Sequence, residues 1–482
     1  MKTIFQEDLK LDSSDDLLAI AVSEEGPNSL PKNLNEAFGG HLTTSIGEDD
    51  FKGKAGSSLS LRITGQIGAK WLLLVGAGDL SANSYRKAAG AVGSFARRHG
   101  LSSVQFDLGG NSKANTVEHL RAVAEGLEEG NYRFDKYQLE QKKKSPITEI
   151  TLVTDKPDGF AQGSAHARGQ KLARDLVNET PEIATPKFLA DTAKGLESDQ
   201  LKVRVWDSKK LKSEGMNGVD AVGRGSANPP FFVHMTWTPK CKPTGKVAIV
   251  GKGVTFDAGG LSIKPSAGML TMKSDMGGAA VVLGTMSSLS QSDVSVVVEG
   301  IFAAAENMLG GEAYKLGDIL TMSNGKTVEI HNTDAEGRLL LADSLVYADK
   351  LGCDAIVDFA TLTGAQVVAL GEKYTAFYSD DDSLAEAWSS NAENAGEGLW
   401  RMPLESEYKS LLKGDWSTLK NVGGRAAGSI TAALFLSEFV EESTWAHLDI
   451  AGPSFISKPR GHVPKGGTGA MVRTTLRWLE SI

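Results

Sequence analysis

Asn332-Thr333-Asp334-Ala335-Glu336-Gly337-Arg338-Leu339 places two carboxylates and a guanidinium close together, and its flanks decide the fold. Upstream, Lys326-Thr327-Val328-Glu329-Ile330 alternates polar and apolar residues as a half-buried strand does; downstream, Leu339, Leu340, Leu341, Leu345 and Val346 recur with helical spacing. The octapeptide therefore reads as a strand-to-helix turn. In an open α/β sheet, ligands gather outside the carboxyl ends of strands, where such a turn sits. Taken alone, the same residues also fit a solvated loop with a surface ion pair.

Strand-like and helix-like segments alternate on both sides of this turn. In the first third, strands are expected at 17–22, 59–63, 71–75 and 104–108, with helices near 82–98 and 114–129. A connection rich in Gln, Glu and Lys follows around 138–146, then a strand at 150–153 and a helix from about 165 to 177. From there strands are expected near 202–206, 246–251, 295–303, 327–332, 355–360 and 446–450. Helices are expected near 187–197, 277–290, 338–351, 383–395, 430–441 and 469–480. The predicted class is α/β, with an N-terminal α/β domain over 1–155, a connecting helix and linker over 156–180, and a larger catalytic α/β domain over 181–482 with a mixed central sheet flanked by helices. A length of 482 residues agrees with two domains, given roughly 150 residues per domain.

Hydrophobic content of 41% and charged content of 23% are those of a globular protein with a sizeable core, and the mean hydropathy of -0.18 agrees. No stretch reaches the ~18 consecutive apolar residues of a membrane span, and residues 1–12 lack a basic start followed by an apolar run. Two cysteines, Cys241 and Cys353, build neither a disulfide framework nor a Cys-rich zinc site, which points to a reducing, cytoplasmic setting. A net charge of -9 argues against a general nucleic-acid binder. Residues 142–144, three lysines, read as a solvated linker.

A second loop shares the chemistry of the octapeptide. The strand-like Val247-Ala248-Ile249-Val250 runs into Gly251-Lys252-Gly253-Val254-Thr255-Phe256-Asp257-Ala258-Gly259-Gly260, then Lys264, then Met272-Lys273-Ser274-Asp275-Met276-Gly277-Gly278. A phosphate loop is excluded because Lys252 is followed by Gly253 rather than Ser or Thr and lacks the glycine five positions before it. If Asp257, Asp275, Asp334 and Glu336 fold together, their mutual repulsion requires cations, and two divalent ions would balance them charge for charge. Oxygen ligands suit Mg, Mn or Zn, and a carboxylate can bridge ions roughly 3.5–4 Å apart. Lys252 is a further candidate ligand through a deprotonated amine.

The segments VGKGVTFDAGG (250–260), KSDMGGAA (273–280) and NTDAEGRL (332–339) resemble the signatures of the leucyl, or cytosol, aminopeptidase family. Ala360-Thr361-Leu362-Thr363-Gly364-Ala365 and His447-Leu448-Asp449-Ile450-Ala451-Gly452 extend the likeness, nearly continuous from about residue 170 onward. The resemblance implies a macro-like N-terminal domain and a dinuclear metallopeptidase. Asp257, Asp334 and Glu336 would hold one ion, and Lys252, Asp257, Asp275 and Glu336 the other, with Mn2+ or Zn2+ as the metals and Mg2+ as a third candidate. It implies that a water between the ions attacks the first peptide bond of peptides with a free N-terminus, Leu and other apolar residues being preferred. Lys264 would stabilise the oxyanion and Arg338 would hold a catalytic bicarbonate. Met272, Thr361 and Ala451 would line the pocket for the first side chain. It also implies a homohexamer, a dimer of trimers.

Small departures accompany the match: Ala258 stands where the family often has a small hydroxyl residue, and Pro453-Ser454-Phe455 bears on the specificity pocket. A non-catalytic structural or DNA-binding member of the family is the alternative, and the complete ligand set opposes it. A glycosidase with paired acids would leave Lys252, Lys264 and Arg338 idle. His331 and His447 read as structural residues. The run Trp71-Leu72-Leu73-Leu74-Val75-Gly76-Ala77-Gly78 lacks the third glycine of a dinucleotide fingerprint and reads as a buried strand with a tight turn.

Overall fold

The computed structural model describes residues 1–24, 30–109, 116–138 and 146–482. The lysine run 142–144, most of the connection expected around 138–146, and the start of the helix expected at 114 lie outside the described residues. The chain divides into two compact units, residues 1–168 with 458–465 and residues 169–457 with 466–482.

In the first unit, Leu17–Ser23 and Trp71–Gly78 are nearly continuous apolar runs, as strands covered on both faces must be. Leu17, Ala19, Leu73 and Val75 enter one core, and Leu18, Ile20, Leu72 and Leu74 enter another, so each side-chain alternation feeds a separate layer. The six-stranded sheet runs in the order Lys2–Gln6, Glu149–Val153, Ser103–Asp107, Leu17–Ser23, Trp71–Gly78, Ser58–Arg62, and only the last strand is antiparallel to its neighbour. Helices Ala82–His99 and Val117–Asn131 cover one face. Ser81 caps the first by accepting from Ser84 N, and Gly100 closes it at φ +70, a left-handed conformation that suits glycine. The Trp71–Gly78 run is thus a buried strand.

The second unit holds an eight-stranded mixed sheet in the order Gly398–Arg401, Tyr374–Tyr378, Thr444–Asp449, Ala355–Ala360, Lys246–Asp257, Val297–Asn307, Phe231–Trp237, Leu201–Trp206. The four strands from Thr444–Asp449 to Val297–Asn307 are mutually parallel. Val247 and Ile249 enter one core while Ala248 and Val250 enter the other. Gly277–Ser288 belongs to the first core and Gly337–Asp349 to the second, so helices flank both faces. This is the two-domain α/β architecture, with the larger mixed sheet in the C-terminal domain, that the sequence predicts.

One placement differs. The strand before the octapeptide is short, Thr327–Glu329, and it joins a separate three-stranded sheet with Ile319–Thr321 and Leu419–Lys420 rather than the main sheet. Alternation finds the strand, although Glu329 is buried beside Val328, and it carries no information about which sheet that strand completes.

Candidate active site

The carboxyl ends of the parallel strands assemble the site. Lys252 lies in the middle of the long strand Lys246–Asp257, and Asp257 is its last residue. Asp275 follows the single turn Met272–Ser274 and precedes the helix Gly277–Ser288. Glu336 opens the helix Gly337–Asp349, and Arg338 sits in its first turn.

The four carboxylates and two lysines converge. Ligand atoms of Asp257, Asp334 and Glu336 lie within 4.8 Å of one another. The Lys252 ammonium is 2.8 Å from Asp275 Oδ2 and 3.0 Å from Glu336 Oε1, and it donates to Thr361 O at 2.9 Å. The Lys264 ammonium is 2.8 Å from Asp257 Oδ2 and 2.6 Å from Asp334 Oδ1. Each lysine thus joins two carboxylates. Lys252, Asp257, Asp275 and Glu336 are buried, whereas Asp334 and Lys264 retain partial exposure.

Electrostatics follow from this crowding. Burial raises the Asp275, Asp334 and Glu336 carboxyls above the usual range; the neighbouring Asp257 charge adds to the rise, and the lysines oppose it. Burial works against the charge on Lys252, but Asp275, Glu336 and Asp257 outweigh it and hold the ammonium protonated above the ordinary lysine range. Lys264 is held likewise, chiefly by Asp257.

The donor set fits divalent cations. Asp275 Oδ2 and Asp334 Oδ1 are buried and each faces one ammonium, at 2.8 and 2.6 Å, with no other protein donor among the described residues, which leaves a lone pair on each for coordination. Hard carboxylate oxygens in this number suit Mn, Mg or Zn. An amine ligand from Lys252 requires loss of its proton.

Arg338 is buried, donates from Nη1 to Asn421 O at 2.6 Å and lies over the Phe435 ring. Burial pushes its guanidinium down to about 10, against the pull of Glu336 and Asp449. Its Nε is buried without a protein partner, a donor suited to an anion. Thr361 Oγ1 donates to Asp275 Oδ1 at 2.8 Å, which ties it to the cluster. Met272 and Ala451 are half-buried: Met272 begins the turn that carries Asp275, and Ala451 follows Thr444–Asp449. Asp449 Oδ1 accepts from the backbone N–H groups of Leu362 and Ala451, joining the segments on which Thr361 and Ala451 stand.

Both histidines lie in structural pairs. His331 faces Glu329 at 3.0 Å, and His447 is fully buried against Asp358 at 2.6 Å.

Sequence reading misses Asn307 and Tyr314. Asn307 Nδ2 donates to Asp257 Oδ1 at 2.9 Å and Thr333 O at 3.0 Å and lies 3.4 Å from Glu336 Oε2; Tyr314 OH donates to Thr333 O at 2.6 Å. Neither belongs to a motif, and the strand expected at 295–303 stops short of Asn307, which ends the observed strand Val297–Asn307, where ligands collect.

The fold and site define an α/β protein whose centre of buried carboxylates, balanced by lysines, is built to hold cations. Comparison with known proteins narrows the class. The model of the cytosol aminopeptidase family, catalytic domain, matches residues 171–476, and that of the family's N-terminal domain matches residues 19–141. A probable cytosol aminopeptidase from Nostoc punctiforme is 42% identical over 98% of each chain, and one from Trichormus variabilis is 42% identical over the same shares. Among solved structures, a tomato leucine aminopeptidase mutant superposes with a TM-score of 0.90 at 35% identity, covering 100% of this chain and 97% of that one. The bottromycin maturation enzyme BotP in complex with Mn gives 0.86 at 36% identity, covering 97% of this chain and 99% of that one. The chain belongs to the cytosol aminopeptidase family.

Proposed function

We propose that the chain is a dinuclear metal aminopeptidase that removes the N-terminal residue, Leu and other apolar residues preferred, from peptides with a free amino terminus. The observation that carries this reading is the pairing of four carboxylates by two ammonium groups, because a site so acidic is primed to exchange protons for divalent ions. Asp257, Asp334 and Glu336 would hold one ion, and Lys252, Asp257, Asp275 and Glu336 the other, with Mn2+ or Zn2+ as the metals; the similarity to BotP, whose structure is a complex with Mn, supports the first. When bound, such ions supply Lewis-acid polarisation and bring a water's pKa toward neutrality.

The remaining work falls to side chains. Asp275 would take part in receiving the substrate's free amine, which would restrict cleavage to the first peptide bond. Lys264 keeps its charge beside Asp257 and Asp334 and would stabilise negative charge that develops on the scissile carbonyl oxygen. Arg338 would bind bicarbonate through its unpaired Nε, placing a proton carrier near the leaving amine. Met272, Thr361 and Ala451 would line an apolar pocket for the first side chain. The likeness to proteins named cytosol aminopeptidase supports a cytoplasmic location, and the family resemblance a homohexamer arranged as a dimer of trimers.

The test compares leucine- and glutamate-bearing peptides, each with a free and an acetylated amino terminus. Cleavage confined to free termini and faster for leucine supports the reading. Equal cleavage of acetylated peptides would sink amine capture by Asp275.

A further inference from the structure

We infer that Asn307 is a positioning residue of the metal centre, whose amide N–H groups orient Asp257 and Glu336 and pin the Thr333 carbonyl that precedes Asp334. The inference rests on the two-ion reading and extends it to a residue outside the ligand set.

The placement begins in the sheet. Asn307 is the last residue of Val297–Asn307, and it pairs in parallel register with Asp257, the last residue of the neighbouring strand. Its carbonyl accepts from Ala258 N at 3.0 Å, so the backbones of the two strand ends are locked together. The side chain has no exposure.

The orientation of the amide is fixed by its surroundings. Nδ2 faces three oxygens that can only accept from it: Asp257 Oδ1 at 2.9 Å, Thr333 O at 3.0 Å and Glu336 Oε2 at 3.4 Å. A carboxamide oxygen in that position would meet carboxylates and a carbonyl, so the nitrogen belongs there. Two protons serve three acceptors, and the longest contact is the shared one. Oδ1 points away, without a hydrogen-bond partner, toward the face where a side chain on Gly260 would come within 2.9 Å.

This arrangement solves a problem set by the topology. Asp257 comes from the main sheet, whereas Asp334 and Glu336 come from a loop leaving the small three-stranded sheet. Their carboxylates repel, and nothing in either sheet's ladder sets their spacing. The Asn307 amide joins both, adding donors without adding charge. Tyr314 OH donates to the same Thr333 carbonyl at 2.6 Å, and Thr333 Oγ1 donates to Gly259 O at 2.7 Å, so the loop is held from three sides. Among these donors, Asn307 alone touches the carboxylates. Groups that orient metal ligands typically change affinity by about 10- to 100-fold when removed.

The experiment measures Mn2+ binding to chelator-stripped full-length protein by competition with a fluorescent chelator, for wild type, Asn307→Ala and Asn307→Leu. Leucine fills nearly the same volume without donors, which separates lost hydrogen bonds from an empty space. Both variants should bind Mn2+ about 10- to 100-fold more weakly. Tyr314→Phe should weaken binding less, because the contacts with Asp257 and Glu336 remain. Urea midpoints in excess chelator report folding separately. Midpoints that fall while Mn2+ affinity stays within about twofold of wild type would reduce Asn307 to a structural residue and overturn the inference. Wild-type protein that binds no Mn2+ would instead remove the two-ion reading beneath it.

Discussion

Lys264 Nζ lies 2.8 Å from Asp257 Oδ2 and 2.6 Å from Asp334 Oδ1, so one ammonium joins the end of a main-sheet strand to the loop that leaves the small sheet. Lys252 joins Asp275 and Glu336, which stand before the helices Gly277–Ser288 and Gly337–Asp349. Removing either lysine leaves crowded carboxylates without their internal counter-charge. The effects should nevertheless differ, since Lys252 is a proposed ligand and Lys264 a proposed oxyanion stabiliser. Lys264→Ala should lower kcat by about 10²- to 10³-fold at saturating metal, the usual range for losing one preorganised donor, while two Mn2+ ions still bind. Lys252→Ala should weaken the binding of one ion. Steady-state kinetics beside metal titration separates the two, and a Lys264→Ala enzyme with unchanged kcat would exclude the assigned role.

Asp334 contributes to only one proposed ion site, whereas Asp257 and Glu336 contribute to both. Asp334→Asn should therefore lower the count of tightly bound Mn2+ from two to one, as read by equilibrium dialysis with metal analysis. Glu336→Gln should weaken both. Two tight ions in Asp334→Asn would contradict the ligand assignment.

Close backbone approach predicts a stability effect away from the ligands. A methyl on Gly278 would sit 2.0 Å from Phe359 O and 2.6 Å from Lys252 N, so Gly278→Ala must push the helix Gly277–Ser288 off the strands that carry the site. Overpacking of this kind costs about 1–3 kcal/mol. Gly268→Ala meets nothing within 4 Å and should be neutral or slightly stabilising. Urea unfolding of both variants checks the contrast; equal midpoints would show that the helix yields freely.

The buried His447 predicts a pH dependence of stability. Burial opposes its charge, but Asp358 at 2.6 Å and Asp449 beyond it outweigh both that and the repulsion from Arg338, so the folded pKa is raised. A histidine raised on folding stabilises fully below the unfolded value of about 6.5, and that contribution disappears as pH rises through the higher folded value. The urea midpoint should therefore fall as pH rises from about 6.5 through the raised folded value. In His447→Asn, which can keep the hydrogen bond to Asp358 without a charge, the fall should be smaller. Parallel pH profiles for the two proteins would show that His447 does not titrate in this window.

Legibility in the sequence tracked locality. The octapeptide and the 250–278 segment could be read because their charged residues are close in sequence, and charges so dense need a reason. Runs such as Val247-Ala248-Ile249-Val250 announced buried strands. Phe231–Trp237, by contrast, carries His234 and Thr236 among its apolar residues, and Tyr374–Tyr378 is only 5 residues long, so neither stood out. The separate sheet beneath the octapeptide was invisible, because alternation reports exposure and not partners. Asn307 was hidden for the same reason. Within Ala303-Ala304-Ala305-Glu306-Asn307 nothing local marks it, and its role arises from register with Asp257, 50 positions away.

Hydrolysis of leucine p-nitroanilide by one preparation, stripped with chelator and then reloaded with Mn2+ or Zn2+, tests the central claim most directly. Activity should vanish on stripping, return on reloading, and stay absent in reloaded Asp257→Asn, whose carboxylate both proposed ion sites share. Full activity in the stripped protein, with residual metal below one ion per hundred chains, would contradict the account.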